Sequence, residues 1–439
     1  MNSRKALIPF SLLIVVAVAG LIFSPPTVAP AQAYDISGAD TAWMLTACAL
    51  VLIMTPGLAF FYGGMVGKKN VISTMLQSYI CMAVITIIWV VTGFSLAFGD
   101  SIGGIIGDPR TFFLMRNVQN GRPWELAPTV PLLLFAFYQL KFAIIAPALI
   151  TGAFAERIKF TSYLLFICLF CIFIYAPLAH ATWHPNGILF KYGVLDFAGG
   201  TVVHMSAGIA ALVGALYLKK RQQETTAPAR ITYVLLGTGL LWFGWFGFNA
   251  GSAFGANLLA ANALGTTSTA SAAAAFAWIM LDAVRGKKPS AMGACIGAVV
   301  GLVAITPAAG FISIAHSLTV GVVSSFISNM LVEWRTNKTN IDDTLDVFPC
   351  HGVGGIVGFL LTAVFADQNI NAANTTGNGL FFGETKLIVV HLLTTLGVIV
   401  FVAAGSWIIL KITDLLTPLR VTPEEEQLGL DISQHGEKL

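Results

Sequence analysis

Long apolar segments alternate with short polar ones along almost the whole chain. Segments of about 20 apolar residues are long enough to cross the hydrocarbon core of a membrane as a helix. We predict eleven of them, at 41–65, 71–98, 130–153, 160–183, 195–218, 231–255, 266–284, 290–307, 310–332, 346–366 and 385–412. The pattern predicts an all-α polytopic membrane protein with eleven transmembrane helices.

The composition agrees with this pattern. The chain has 439 residues, of which 56% are hydrophobic and 10% are charged, and its mean hydropathy is +0.80. Soluble domains carry about 25% charged residues. No soluble domain fits between the predicted spans, so we predict no soluble enzyme. No nucleophile–base motif or metal-ligand set is present, and we predict neither an enzyme nor a cofactor or metal site.

Residues 1–33 have the organisation of a secretory signal peptide. Arg4 and Lys5 precede an apolar stretch at 6–23, and Ala31 and Ala33 form a small-x-small cleavage pattern. Cleavage there would leave a mature chain that begins near Tyr34, outside the membrane. The alternative is an uncleaved additional span.

Lys and Arg are distributed unevenly between the two sides of the membrane. With the mature N-terminus outside, the connections after odd-numbered spans lie in the cytoplasm, and they hold the basic clusters: Lys68, Lys69, Arg157, Lys159, Lys219, Lys220, Arg221, Arg230, Arg285, Lys287, Lys288, Arg335 and Lys338. This bias agrees with the positive-inside rule, so the clusters are topology signals and not a nucleic-acid surface. The polar tail at 413–439 is cytoplasmic, as either a disordered end or a docking element.

The basic linker at 219–230 divides the spans into two sets of five, with one span left over at 385–412. Because five is odd, the halves at 41–218 and 231–366 enter the membrane from opposite faces, as in the inverted repeats of transporters. The fifth span then begins outside at Asp196, and the tenth begins inside at Asp346. We predict a five-plus-five inverted repeat.

Each of these two spans carries a histidine, His204 in one and His351 in the other. An ionisable side chain in a membrane is costly and faces a bundle interior or a pathway. Several turns from opposite surfaces, the two histidines can converge near the midplane. We predict that they act as a functional pair. Asp196 and Asp346 are interpreted as structural caps at the helix starts.

Aromatic side chains and one hydroxyl gather toward the outer ends of three spans. Phe142 lies on the third span, Trp183 ends the fourth, and Phe248 and Ser252 lie one turn apart on the sixth. Aromatic faces with a hydroxyl suit a small cation that carries N–H donors. The alternative is an ordinary aromatic belt at the membrane interface.

Three charged residues, one within a span and two at a span end, have other expected roles. Lys141, beside Phe142, is expected to extend toward the outer interface. Glu156 and Arg157 are interpreted as a cytoplasmic helix-end pair.

Cys168 and Cys171 form a CxxC on an apolar helix and are interpreted as buried small hydrophobes.

Five long motifs make the chain recognisable: MTPGLAFFYGGMVGKKNV at 54–71, GAFAERIKF at 152–160, LDFAGGTVVH at 195–204, GWFGFNAGS at 244–252 and DVFPCHGVGGIVG at 346–358. From about residue 36 to the tail, the chain resembles the ammonium transporter (Amt/Rh) family, of the bacterial Amt type. The resemblance implies a plasma-membrane (inner-membrane) homotrimer with one pore through each subunit. It also implies that the tail, with its GLD and HGE elements, couples subunits and meets PII-type signalling proteins.

The resemblance also assigns roles to the site residues. Phe142 and Phe248 match the stacked phenylalanine gate. Trp183 and Ser252 match the outer recruitment site, where the two phenylalanines also take part, and Asp196 matches the aspartate that supports it. The sequence departs from many members at Lys141 and from some members at Ile296.

The resemblance implies a twin-histidine pore at His204 and His351. The expected mechanism is recruitment of ammonium outside, deprotonation near the gate and conduction of ammonia past the histidines, with the route of the proton left open. Burial favours neutral histidines, which can pass hydrogen bonds along such a path. Two alternatives are a sensor on the same fold and a redox protein with a bis-histidine haem.

Overall fold

The computed structural model describes residues 3–23, 34–222 and 227–439. The long helices in these ranges are α1 (Ser3–Ile22), α2 (Gly38–Met65), α3 (Lys68–Phe98), α4 (Leu132–Phe154), α5 (Phe160–Lys191), α6 (Gly200–Leu218), α7 (Ile231–Ala253), α8 (Leu258–Val284), α9 (Ala291–Ile305), α10 (Ile314–Lys338), α11 (Phe348–Phe365) and α12 (Lys386–Leu416). Two short helices follow in the tail, α13 (Pro423–Leu428) and α14 (Leu430–His435).

The predicted eleven-span architecture is confirmed. Ten of the described helices, α2–α8 and α10–α12, are long and apolar enough to cross a membrane, and the shorter α9 is the eleventh. Some helix boundaries differ from the predicted ones. For example, α10 continues to Lys338 and α12 to Leu416. These extensions carry charged residues and continue the helices beyond the apolar segments.

Helix packing follows the repeat. The first helices of the two halves, α2 and α7, pack along each other, and the last ones, α6 and α11, meet at the centre. Contacts of α4 with α2 and α6 in the first half correspond to contacts of α9 with α7 and α11 in the second. The helices that carry the two histidines are therefore held in equivalent positions, while α12 packs outside them on α6.

The N-terminal helix α1 ends next to the connection between α3 and α4. The ring of Phe23 lies 6.1 Å from that of Phe113 in this connection, edge to face. The cleavage pattern at 31–33 lies outside the described residues, so the signal peptide stays a prediction.

The connection at 99–129 is more than a plain connector. It contains a small antiparallel hairpin of β1 (Ser101–Ile102) and β2 (Ile106–Gly107), in which Ser101 pairs with Gly107. The turn uses Gly103 and Gly104, both with positive φ, a backbone conformation that glycine adopts without strain.

The tail folds back onto the chain, which decides between the two alternatives that its sequence left open. The N–H of Leu430 donates to Asn70 Oδ1 at 2.8 Å, and Asp431 accepts from the N–H of Ser73 at 2.8 Å. Thr422 and Glu425 form a capping box that starts α13. The tail is an ordered element docked at the start of α3.

Glu156 and Arg157 do not pair with each other as predicted. Glu156 accepts a hydrogen bond from Arg221 at 2.7 Å, whereas Arg157 donates to Thr344 at 2.7 Å and to the carbonyl of Asp342. Glu156 has a positive φ of 71°, so the chain turns sharply between the two residues and their side chains diverge. The interpretation as a local pair was wrong because each residue binds a distant segment.

Candidate functional site

Both histidine helices begin with a widened turn. Residues Gly200–Met205 and Phe348–Val353 are π-helical, and they contain His204 and His351 respectively. Gly199, with a φ of 115°, provides the left-handed residue that precedes the first turn. π-Helical turns are rare and occur often at functional sites, where they redirect side chains.

The two helices cross where glycines let their backbones touch. A Cβ atom at Gly208 would lie 2.1 Å from the main-chain nitrogen of Gly352, and one at Gly355 would lie 3.1 Å from the Cβ of His204. No larger residue fits at Gly208 without moving the helices apart. This close approach brings the Nδ1 atoms of His204 and His351 to 3.3 Å from each other.

A narrow apolar lumen surrounds the histidine pair. The ring of Trp245 stacks 5.4 Å from that of His204 and is held by a 2.9 Å hydrogen bond to Thr306. Apolar side chains complete the wall: Met54, Leu58, Phe61, Ile145, Leu149, Leu241 and Val299. The cavity volume of about 10 Å³ is close to the space that one water-sized molecule needs. Within the described chain, Nε2 of His204 has no hydrogen-bond partner.

Two phenylalanines close the lumen on its outer side. The ring centroids of Phe142 and Phe248 lie 4.3 Å apart, and both side chains are buried. Phe248 also lies 6.0 Å from the ring of His204, so the aromatic pair adjoins the histidine pair directly. The two rings therefore lie between the histidine pair and the space beyond Phe142.

An outer vestibule of about 270 Å³ lies above the two rings. Trp183 stands 6.0 Å from Phe142, edge to face, and its indole N–H donates to the carbonyl of Asp196 at 3.0 Å. Ser252 lines the same vestibule, with its Oγ 3.2 Å from the hydroxyl of Tyr138. The predicted recruitment residues are thus brought together around one space.

Two polar side chains of the vestibule were missed by the sequence reasoning. Gln139 and Thr182 are buried and line the vestibule, and within the described residues Gln139 Oε1 and Thr182 Oγ1 have no hydrogen-bond partner. A signal was present, since Gln139 lies three residues before Phe142 on one helix face and Thr182 precedes Trp183. These oxygens can accept N–H donors that enter the vestibule.

Asp196 lies at the start of α6 and receives four hydrogen bonds. The N–H groups of Gly199 and Gly200 donate to Oδ1 at 2.8 and 2.7 Å, and Thr201 donates to Oδ2 from its N–H at 2.8 Å and from its hydroxyl at 2.5 Å. Asp196 is also one of the residues that line the vestibule.

Asp346 does not cap the start of α11 as predicted. Asp343 takes that role, because its Oδ2 accepts from the N–H of Phe348 at 2.7 Å. Asp346 has a φ of 55° and turns toward Arg335, whose Nε lies 2.6 Å from its carboxylate. The sequence could not decide this, since the segment offers three aspartates within five residues.

Lys141 points away from the gate and toward the outer end of α4. Its Nζ lies 5.8 Å from the ring centre of Phe137, one helical turn before it. This direction fits the expected extension toward the outer interface.

The family comparison decides what this arrangement belongs to. Residues 42–439 match the model of the Ammonium Transporter Family. The chain belongs to the ammonium transporter family. It is 45% identical over 400 residues to an ammonium transporter of Aquifex aeolicus, covering 91% of this chain and 92% of that protein.

Solved structures with the same fold extend the comparison. Mep2 of Candida albicans has a TM-score of 0.84 at 34% sequence identity, covering 92% of this chain and 90% of that one. A protein described as a sensor Amt protein has a TM-score of 0.81 at 26% identity, covering 90% of this chain and 98% of that one. The family therefore includes proteins described by transport and at least one described by sensing.

Proposed function

We propose that this protein carries ammonium across the membrane by recruiting the cation outside, deprotonating it near the phenylalanine gate and conducting ammonia past the histidines. One observation carries the proposal. A wide, largely aromatic vestibule with a few polar side chains ends at two rings in close contact, and directly behind them lies an apolar lumen with two histidines in contact. This is a path on which a small molecule must lose its water and its charge.

The vestibule supplies what an ammonium ion needs for binding. The ion has four N–H donors, and Ser252, Gln139 and Thr182 offer oxygen acceptors around one cavity. The rings of Trp183 and Phe142 offer aromatic surfaces that attract cations. The carboxylate of Asp196 adds negative charge at the same wall.

The gate and the lumen provide selectivity. An intact ion in an apolar passage of this width loses its hydration, at a cost of several kcal/mol or more. Potassium has no proton to lose and cannot avoid this cost. Ammonium avoids it by leaving its proton near Phe142 and Phe248 and continuing as ammonia.

The histidines accept the neutral molecule from the gate. His204 and His351 share a 3.3 Å contact, and Nε2 of His204 has no partner among the described residues. Ammonia can donate to this nitrogen on its way through the lumen. The contact between the two rings also offers a route for the proton. Transfer of the proton can be measured separately from transfer of ammonia.

The proposal also covers the membrane location, the oligomeric state and the role of the tail. The positive-inside bias supports a bacterial plasma membrane location with the vestibule outside and the tail in the cytoplasm. Family membership supports a homotrimer, with Asp196 as structural support of each pore. The docked tail is the segment we propose for contact with a PII-type protein.

The test is the current that an ammonium jump evokes in proteoliposomes of purified protein, with potassium as the control. A saturable current with ammonium and none with potassium is expected. His204→Ala should change the flux or its selectivity, whereas an unchanged response would contradict the role of the histidine pair. With no current, a pH dye inside the vesicles detects electroneutral ammonia entry, and no pH change would contradict transport altogether.

A sensor is the second candidate function, and the similarity to the sensor Amt protein is the observation that favours it. Ammonium binding without current or pH change would support the sensor. The bis-histidine haem is disfavoured, because the two Nδ1 atoms lie 3.3 Å apart in a lumen of about 10 Å³, which leaves no space for a macrocycle between the rings.

A further inference from the structure

His391 is a buried, ionisable residue of a membrane-spanning helix that the proposed mechanism does not use. It lies in α12, none of its surface is exposed, and its ring stacks on that of Phe359 in α11 with a centroid distance of 4.0 Å. An ionisable side chain inside a membrane span is rare and usually has a functional role. His391 is not among the described residues that line the vestibule or the lumen, so any such role acts through another residue.

The two ring nitrogens of His391 bind main-chain groups of two different segments. The N–H of Leu195 lies 3.2 Å from Nε2, which accepts this hydrogen bond and therefore carries no proton. The proton of the neutral ring is then on Nδ1, which donates to the carbonyl of Phe359 at 2.8 Å. Both nitrogens are thus used, and the ring joins the segment at Leu195 to α11.

Leu195 belongs to the wall of the vestibule. Residues 194–199, just before α6, form neither helix nor strand, so their main-chain groups depend on individual partners. The carbonyl of Asp196 accepts from the indole N–H of Trp183 at 3.0 Å. The N–H of Leu195, immediately before Asp196, donates to His391. The imidazole therefore holds the wall at the residue that precedes the recruitment carboxylate.

We propose that His391 is a positioning residue of the recruitment site, which fixes the vestibule wall so that Asp196 and Trp183 face an incoming ammonium ion in one geometry. This inference rests on the proposed function. A cation site built from several weak contacts needs its groups held in place, because each group that moves reduces the affinity. Phe359 lies about two helical turns after His351. The same ring therefore ties the outer wall to the helix that carries the second pore histidine.

Three substitutions of His391 separate its two hydrogen bonds from its packing. His391→Phe keeps a ring that can stack on Phe359 but has neither nitrogen, so we expect KM for ammonium to rise about tenfold with the maximal flux nearly unchanged. His391→Gln should behave like the original protein, because its amide oxygen reaches the position of Nε2 and can accept from Leu195. His391→Asn should raise KM as His391→Phe does, because its shorter amide reaches only the position of Nδ1 and keeps the bond to Phe359 alone.

Flux is measured in proteoliposomes as current or as the signal of an internal pH dye, and thermal unfolding in detergent shows that each variant is folded. A merely structural role would lower the unfolding temperature and the maximal flux of all three variants without separating His391→Gln from His391→Asn. If His391→Phe does not fold, the other two variants still decide. Equal KM values for His391→Gln and His391→Asn would overturn the inference.

His316 of α10 offers a matched control. Its ring also stacks on a phenylalanine of α11, 4.7 Å from that of Phe365, and within the described chain its Nδ1 has no hydrogen-bond partner. His316→Phe should leave KM unchanged, because this residue makes a similar stack without binding the vestibule wall. An equal rise of KM in His316→Phe and His391→Phe would assign the effect to ring packing and overturn the inference alone. Absence of ammonium transport in the original protein would overturn the proposed function instead.

Discussion

The side chains at the starts of the two histidine helices make different interactions, although the helices occupy equivalent places in the repeat. At the outer side, Asp196 accepts four hydrogen bonds, three from main-chain N–H groups and one from a hydroxyl. It has no ion-pair partner among the described residues. At the inner side, two aspartates stand in place of this one. Asp343 accepts a hydrogen bond from the N–H of Phe348, and Asp346 forms an ion pair with Arg335.

This difference gives the two ends of the pathway different electrostatic character. The charge of Asp196 is stabilised by dipoles alone, and it lines the vestibule where a cation would enter. The charge of Asp346 is compensated by a guanidinium group. The inverted repeat therefore places a π-helical start on both sides. The side chains give one end a negative charge that attracts cations, whereas at the other end the negative charge is neutralised by an arginine.

The largest effect is expected from Asp196→Ala. The substitution leaves three buried N–H groups and a hydroxyl without their acceptor, at a cost of about 1–3 kcal/mol for each group that stays unsatisfied. We expect a loss of about 3–5 kcal/mol in the free energy of unfolding and loss of transport. Denaturant unfolding in detergent measures the first, and vesicle uptake the second.

Asp196→Asn separates the two roles of the outer carboxylate. The amide keeps one acceptor oxygen and removes the charge, so part of the stability should return while recruitment of the cation stays impaired. If Asp196→Asn restored both stability and KM, the charge would have no part in recruitment and the comparison between the two ends would fail.

At the inner end, Arg335→Met should be more damaging than removal of the whole pair. Loss of the arginine leaves the buried carboxyl of Asp346 without its partner, which costs about 3–5 kcal/mol for fully buried pairs and less here because both side chains are partly exposed. The double variant with Asp346→Asn should recover most of the stability. A double-mutant cycle by thermal unfolding gives the coupling.

Asp343→Ala should have a smaller effect than Asp196→Ala. Its recorded side-chain hydrogen bond goes to the N–H of Phe348, and loss of a helix cap costs about 0.5–2 kcal/mol. Unfolding of the two variants under one set of conditions compares the caps directly. Equal losses would show that the number of hydrogen bonds does not control the stability of these helix starts.

The sequence predicted the repeat and the convergence of the histidines because both follow from span count and polarity. The apolar lengths define the helices, and an odd number in each half defines their opposed entry. Family motifs pointed to Phe142, Trp183, Phe248 and Ser252, and the structure places these around one vestibule and gate. Spacing within single helices could not have shown this, because the residues come from α4, α5 and α7.

The errors arose where several similar residues compete for one place. Asp343 and Asp346 are both close to the start of α11, and their roles depend on the positive φ of Asp346 and on Arg335 from another helix. The partners of Glu156 and Arg157 also come from distant segments. The local sequence shows that a helix start needs a cap and that a charge needs a partner. Tertiary packing determines which residue provides the cap or the partner.

The smallest effect is expected at a fourth aspartate, Asp431, which the tail brings to the start of α3. It accepts from the N–H of Ser73 at 2.8 Å, and Nε2 of His435 lies 3.1 Å from the Ser73 hydroxyl. Burial lowers the pKa of His435, so the docked tail holds this histidine neutral. As the pH falls through about 6.5, the released tail binds the proton more tightly and docking should weaken.

The pKa of Asp431 is raised by burial, which strengthens docking on acidification, but an ordinary aspartate titrates near 3.9, so this opposing effect acts at lower pH. Between pH 7 and 6 we expect hydrogen exchange at 420–439 to increase by up to about threefold beyond the change in the intrinsic rate, because the released histidine is half protonated near pH 6.5. His435→Gln should remove this pH dependence. If exchange in the variant followed pH as before, the tail would be released by titration of another group.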